Sequence, residues 1–385
     1  MIPSQRHLFD IPSDVTYLNC AYMSPLPKAS IAAGQAAIAA KGQPWQLTSD
    51  HFFSDAEAVR ALFAQLINTR ADNIAIVPAA SYGMAIAAKN LPLEPGQEIL
   101  ALQEQFPSNV YPWMRLAEEK GGKLRLLDPP ENAPDNKPGA DWTPLILEAI
   151  GDRTGIIALP HCHWTDGALI DLTAIGKKAR AHGAALVLDL TQSAGALPFD
   201  AEAVQPDIMV AASYKWLLGP YSLGAAYIAP KWHQGRPVEE NWLNRKGSED
   251  FARLVDYQYE YQPGARRFDM GERSSFHLMP VFKASLELLL GWGVENIASA
   301  LAAKTGFLAK GAAGLGLEAA PLSRRAGHYL GLRFPGGIPG DLLTRLREQN
   351  IHVSVRGTSM RVTPHLYNDE EDLARLLSAL RKLRG

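Results

Sequence analysis

Ala184-Ala185-Leu186-Val187-Leu188-Asp189-Leu190-Thr191-Gln192 runs apolar for five residues and then meets a carboxylate. A run with no alternation of apolar and polar residues is the pattern of a strand buried on both faces. Asp189 ends it. A carboxylate is costly in an apolar setting unless a cation or hydrogen-bond donors meet it. The next such run, Asp207-Ile208-Met209-Val210-Ala211-Ala212, is followed by Ser213-Tyr214-Lys215-Trp216, which sets a lysine at the same end of the sheet. That lysine is either an ion-pair partner for Asp189 or, where desolvation lowers its pKa, an amine nucleophile toward a carbonyl. These residues alone leave both readings open.

The same alternation spreads outward from this pair. Residues 73–77, 97–102, 123–127, 154–159 and 223–228 read as strands, and 81–90, 111–120, 143–150 and 172–182 as helices. The Pro-, Asn- and Gly-rich stretch 128–141 reads as a loop. Apolar strands separated by helices imply an α/β architecture, a mostly parallel sheet covered on both sides. Ligands then sit beyond the carboxyl ends of the strands. Over 232–276 the period breaks into polar and aromatic residues, which marks a functional loop region or a domain junction. Helices over 279–290, 297–312, 340–349 and 369–383, with strands over 329–333 and 351–355, then read as a smaller αβ unit. The expected division is an N-terminal arm (1–15), a large domain (16–275) and a small C-terminal domain (276–385).

The chain has 385 residues, 38 Lys plus Arg against 40 Asp plus Glu, and two cysteines, Cys20 and Cys162. A near-neutral balance gives no support for a nucleic-acid partner, which needs a basic face. Two cysteines make neither a zinc tetrad nor a secreted disulfide framework. The first residues lack a basic segment followed by an apolar core, and no apolar run reaches about 18 residues. The expectation is a cytoplasmic protein with no membrane span.

Four further segments carry candidate chemistry. Pro78-Ala79-Ala80-Ser81-Tyr82-Gly83 joins a strand to a helix; helix-start N–H groups attract phosphate, and Ser81 is otherwise an ordinary N-cap. Gln105-Phe106-Pro107-Ser108-Asn109 follows a strand, where an aromatic ring can stack on a flat heteroaromatic group. His161-Cys162-His163-Trp164-Thr165-Asp166 has a metal-like spacing, but alternate residues of an extended chain point to opposite sides and no third ligand is evident, so no metal is expected. Arg356 and Arg361 fall on two strand-like runs joined by Gly357-Thr358-Ser359.

In order, these segments resemble the class-V aminotransferase family of fold-type-I enzymes dependent on pyridoxal 5′-phosphate. That family includes cysteine desulfurases, kynureninases and isopenicillin-N-epimerase-like proteins. The resemblance runs from Tyr17-Leu18-Asn19 to Tyr367-Asn368. It implies an aspartate-aminotransferase-like fold. It also implies that Asp189 pairs with the pyridinium nitrogen, Gln192 contacts the ring hydroxyl and Lys215 forms the internal Schiff base. A charged Asp189 would keep the ring an electron sink. By the same resemblance Ser81, Tyr82 and Tyr214 serve the phosphate, Phe106 stacks on the ring, and His163 and Trp164 line the substrate pocket. The run Arg361-Val362-Thr363 leading to Tyr367-Asn368 resembles the element whose Arg grips the substrate carboxylate, with Arg356 as a second substrate-binding group. Two positions depart from the family: Ala80 replaces a hydroxyl residue, and Glu272 stands where a Thr reaches the partner subunit's phosphate. Arg273 or Ser274 takes that last role, or no residue does.

The resemblance implies an enzyme acting on a small α-amino acid as a homodimer, foremost a class-V transaminase. The alternatives are a C–S lyase, an epimerase, a kynureninase-like hydrolase, or a ligand-binding protein on the same fold. No Cys lies between Arg356 and Arg361, so persulfide-forming desulfuration is not expected.

Overall fold

The computed structural model describes residues 2–129 and 141–384. Most of the loop expected over 128–141 lies outside the described residues. The central sheet has seven strands in the spatial order Ile74–Val77, Gly224–Ile228, Ile208–Ala212, Ala185–Asp189, Thr154–Pro160, Glu98–Leu102 and Lys123–Leu127. Gly224–Ile228 is antiparallel to both its neighbours, and the other pairings are parallel. Side chains alternate between two cores, as the period of a strand requires. Leu186, Leu188, Ile157 and Leu159 enter one, while Ala185, Val187, Ile156 and Ala158 enter the other. Helices Ala80–Asn90, Tyr111–Lys120 and Leu172–Ala181 connect successive strands. The α/β class expected from the unbroken apolar runs is the one observed.

The sheet edge at Ile74–Val77 is covered by the end of the irregular 232–276 stretch. Asp269 Oδ1 accepts from Ile76 N–H at 2.7 Å, and Met270 N–H donates to the Ile76 carbonyl at 2.9 Å. The buried Arg60 holds Asp269 at 2.8 Å and the buried Arg273 holds it at 3.2 Å. An open edge is a template for unwanted pairing, and a covered one is not.

A four-stranded antiparallel sheet forms the second layer, in the order Ser354–Arg356, Ser359–Val362, Leu330–Arg333 and Glu318–Ala319. Helices Val294–Ala313 and Glu370–Arg384 cover it over a separate core that includes Leu308, Leu330, Met360, Val362 and Leu376. The single strand expected over 351–355 is two. Ile351–His352 pairs with Thr16–Tyr17, whereas Ser354–Arg356 pairs with Ser359–Val362. The N-terminal segment is thereby tied to the C-terminal one. Thr16 and Arg6 both bond Asp372, at 2.9 Å each. Helix Met279–Trp292 lies against helices Lys28–Lys41 and Ser54–Leu66, two elements the sequence pattern did not signal. No single helix among the described residues is long and apolar enough to cross a membrane.

Candidate active site

Three strand ends meet at one cavity of about 260 Å³. Asp189 closes strand Ala185–Asp189, and Pro160 and Cys162 close the neighbouring one. Lys215 stands three residues beyond Ile208–Ala212, in a turn pinned by Ser213 Oγ on the Leu223 carbonyl (2.9 Å) and by Leu218 N–H on the Lys215 carbonyl (3.1 Å). Leu218 takes a left-handed φ of 53° to close that turn.

Both charges are buried, Asp189 and Lys215 each being 7% exposed. Asp189 Oδ1 accepts from Thr191 N–H at 2.9 Å, and Thr191 Oγ1 in turn accepts from Ala212 N–H at 3.1 Å. Burial pushes the Asp189 carboxyl above its ordinary pKa against the pull of Thr191 and Lys215. Burial lowers the Lys215 ammonium to about 8; Asp189 opposes that shift, while Arg361 and Arg356 add to it. A lysine so placed is still mostly charged at neutral pH, but about a tenth of it is the free amine at pH 7, far more than an ordinary lysine offers a carbonyl.

The rest of the wall follows the same logic. Ala79, Ala80 and Ser81 open helix Ala80–Asn90, whose first N–H groups lack intrahelical partners. The Phe106 ring centroid lies 5.4 Å from Lys215 Nζ, with the Trp164 ring edge-on to it at 5.4 Å. The Tyr214 ring is 5.5 Å from the same Nζ and packs on Tyr221 at 4.7 Å. Gln192 lines the cavity and is itself held, Nε2 donating to the Ala21 carbonyl and Oε1 accepting from Trp216 Nε1, both at 3.1 Å. The structure therefore brings Ser81, Phe106, Trp164, Asp189, Gln192, Tyr214 and Lys215 together.

Other residues singled out in the sequence stand apart. The Tyr82 hydroxyl turns away to Glu239 at 3.0 Å. His163 is not on the cavity wall: its ring nitrogens meet Thr165 Oγ1 (2.7 Å) and the Gln103 carbonyl (3.2 Å), and the ring stacks on Trp142. Its neighbour Trp164 donates Nε1 to the Glu104 carbonyl at 2.6 Å. His163 and Trp164 thus fasten the 103–106 turn, where Glu104 takes a φ of 56°. Arg361 is buried, with Nε and Nη2 on Ser354 Oγ (2.9 and 2.8 Å) and Nη1 on the Trp164 carbonyl (3.2 Å) and Tyr329 hydroxyl (3.3 Å). Arg356 is half-buried and, among the described residues, bonds the Val355 carbonyl alone, at 2.7 Å. Arg273 bonds Asn244 and Asp269, and Ser274 bonds the Phe52 carbonyl, so both are engaged within their own chain. Among the described residues no three His, Cys, Asp or Glu side chains converge as a metal cluster.

Two cavity residues, Gln105 and Tyr221, were given no role by the sequence pattern. Gln105 is 6% exposed, and its Oε1 accepts from Phe106 N–H at 3.1 Å. A backbone N–H can only donate, so the orientation of this amide is fixed and Nε2 is the atom left without a partner. Its place just past a strand end was the available signal. Tyr221 lay beyond any such rule, because the turn that returns it to Tyr214 has no period.

The family model for aminotransferase class-V matches residues 17–376. The chain belongs to this family. The uncharacterized aminotransferase YcbU of Bacillus subtilis is 26% identical, over 86% of this chain and 84% of the relative. Isopenicillin N epimerase of Streptomyces clavuligerus is 23% identical, over 85% and 84%. Among solved structures, the apo cysteine desulfurase of Thermococcus onnurineus superposes with a TM-score of 0.84 at 19% identity, over 100% of this chain and 99% of the other. The fold is that of the fold-type-I enzymes, and the class-V family works with pyridoxal 5′-phosphate. This cavity fits that group. It offers a buried amine, a buried carboxylate across from it, an aromatic face, a helix start and an unpartnered amide donor.

Proposed function

We propose that the chain is a transaminase acting on a small α-amino acid, with the cofactor attached to Lys215. The observation that carries this reading is the Lys215–Asp189 pair sharing one cavity with Gln192, Phe106 and the Ala79–Ser81 helix start. Asp189 would hold a proton on the ring nitrogen, Gln192 the ring hydroxyl, Phe106 one ring face, and Ser81 with Tyr214 the phosphate. When bound, the cofactor supplies an electron sink for charge developing at the substrate α-carbon.

The chain's own residues do the rest. Lys215, once its amine is free, would take the α-proton at Nζ and deliver it to the cofactor side rather than back to the α-carbon, as an amine of pKa about 8 can. Arg361 has no acidic partner among the described residues and would take the α-carboxylate. Trp164 and Phe106 exclude water from this region.

A second base is what epimerisation needs, one on each face of the α-carbon. Burial pushes Tyr214 up to about 12 and raises the Cys162 thiol as well, so neither wall residue titrates near neutrality. Cys20 is buried behind the site with its thiol also raised, and its Sγ rests on the Lys215 carbonyl at 3.8 Å. Neither thiol is a ready persulfide carrier. These observations favour chemistry with Lys215 as the single base. A C–S lyase uses the same base and is the second reading.

The test is a half-reaction. Holoenzyme mixed with excess amino acid and no keto acid should release one equivalent of keto acid per site, and added keto acid should restore the starting absorbance. Continuous release of ammonia, or appearance of the opposite enantiomer, would overturn transamination in favour of elimination or epimerisation.

A further inference from the structure

The cationic side chains near Lys215 outnumber the acids. Arg361 and Arg356 lie on the two arms of one hairpin, with Ser354 opposite Arg361 and Arg356 opposite Ser359. That register places both arginines on the same face as diagonal neighbours. Each guanidinium carbon lies 5.8 Å from the Trp164 ring centroid. Among the described residues neither forms an ion pair, although 17 Lys or Arg side-chain contacts with carboxylates are present elsewhere. Arg361 is held by a serine, a backbone carbonyl and a tyrosine, all neutral. The titratable groups that face Arg356 are Arg361, Tyr329 and Tyr22, none of them a carboxylate. Around Lys215 itself stand Arg361, Arg356, Cys20 and one carboxylate, Asp189.

Two guanidiniums held side by side without an acid repel one another and are costly unless an anion joins them. An α-carboxylate satisfies one. The cofactor phosphate already has the helix start at Ala79–Ser81 on the cavity wall. We propose that the substrate is an α-amino acid with a second anionic group on a short side chain, Arg361 taking the α-carboxylate and Arg356 the distal anion across Trp164. This rests on the reading of Lys215 as the cofactor lysine.

The experiment compares matched acids and amides. Holoenzyme is titrated with L-aspartate against L-asparagine and L-glutamate against L-glutamine, reading the change in cofactor absorbance. The acids should bind at least about tenfold more tightly. Arg356→Gln should abolish that preference by weakening the acids alone, with the melting temperature and the reloading of apoprotein by pyridoxal phosphate unchanged. Equal binding of acid and amide by the native enzyme overturns the proposal. So does equal loss for both in Arg356→Gln, or a loss of cofactor reloading, which would give Arg356 to the phosphate. A second measurement needs no attached cofactor: succinate should raise the melting temperature of Lys215→Ala protein more than succinamate does. A protein that never colours with pyridoxal phosphate, yet prefers succinate, would overturn the cofactor reading and keep the anion pair.

Discussion

Lys215 and Asp189 show how burial turns ordinary side chains into chemistry. In the apoprotein Lys215 titrates near 8 when folded and near its ordinary 10.5 when unfolded. Below about pH 8 it is charged in both states, and the full cost of burying the ammonium is present. Between the two values the unfolded chain binds more protons, so that cost fades as pH rises. Lys215→Met apoprotein should therefore be more stable than the native apoprotein at pH 7, by about 3 kcal/mol at most, and the gap should narrow between pH 8 and 10.5. Urea unfolding at several pH values reads this directly, and a gap independent of pH would contradict it. Asp189→Asn should keep the cofactor but lose most turnover, because an amide cannot hold the ring-nitrogen proton. Cofactor absorbance alongside initial rates separates the two effects. Arg361→Lys should raise KM about ten- to a hundredfold, since an ammonium cannot reproduce the planar fork. An unchanged KM would remove Arg361 from the site. Asp189 and Lys215 stand out in the sequence because each sits at or just past the end of an apolar strand, whereas Arg361 was singled out by the family resemblance alone. His163 differs: the resemblance placed it on the pocket wall, whereas its hydrogen bonds to Thr165 and Gln103 hold it in the 103–106 turn and depend on tertiary neighbours.

Elements were legible where their burial matched their period. The sheet strands are apolar on both faces because both faces are covered, so their pattern is unmistakable. Helix Lys28–Lys41 gave no such signal, because its buried positions are Ser30 and Gly34 rather than a stripe of large apolar residues. Ser30 Oγ meets Ser285 Oγ at 2.8 Å, and a Cβ on Gly34 would fall 2.7 Å from Val281. Close approach of Lys28–Lys41 to Met279–Trp292, not a hydrophobic stripe, defines that packing. The irregular stretch over 232–276 was recognised as special without its purpose being readable. Part of that purpose is the Asp269 contact that seals the sheet edge. Asp269→Ala should destabilise the fold by about 3–5 kcal/mol, because Arg273 would be left buried without a carboxylate and Arg60 would keep only Glu57. A loss of unfolding free energy in urea of less than about 1 kcal/mol would show that the edge closes without it.

At the scale of the molecule, the same stretch carries aromatic side chains that nothing among the described residues covers. Tyr257 and Tyr259 are 91% and 93% exposed, with Val255 at 78%, and Trp45 is 77% exposed elsewhere on the surface. Scattered apolar residues are normal on a monomer, but three within five positions form a patch of the kind that marks an interface. The loop is ordered, not frayed. Arg245 donates to the Tyr259 carbonyl at 2.8 Å, and Lys246 N–H to the Glu260 carbonyl at 3.0 Å. For this held loop with uncovered aromatics we propose a second copy of the chain as the partner. Aromatic residues dominate the energy of such contacts when they enter a desolvated centre. Light scattering of the native protein should give twice the monomer mass. Replacing Tyr257 and Tyr259 together with Ser should shift it toward the monomer, while each chain keeps its melting transition. A native protein that stays monomeric at full activity would refute the dimer. A dimer unaffected by the double replacement would place its interface on another face.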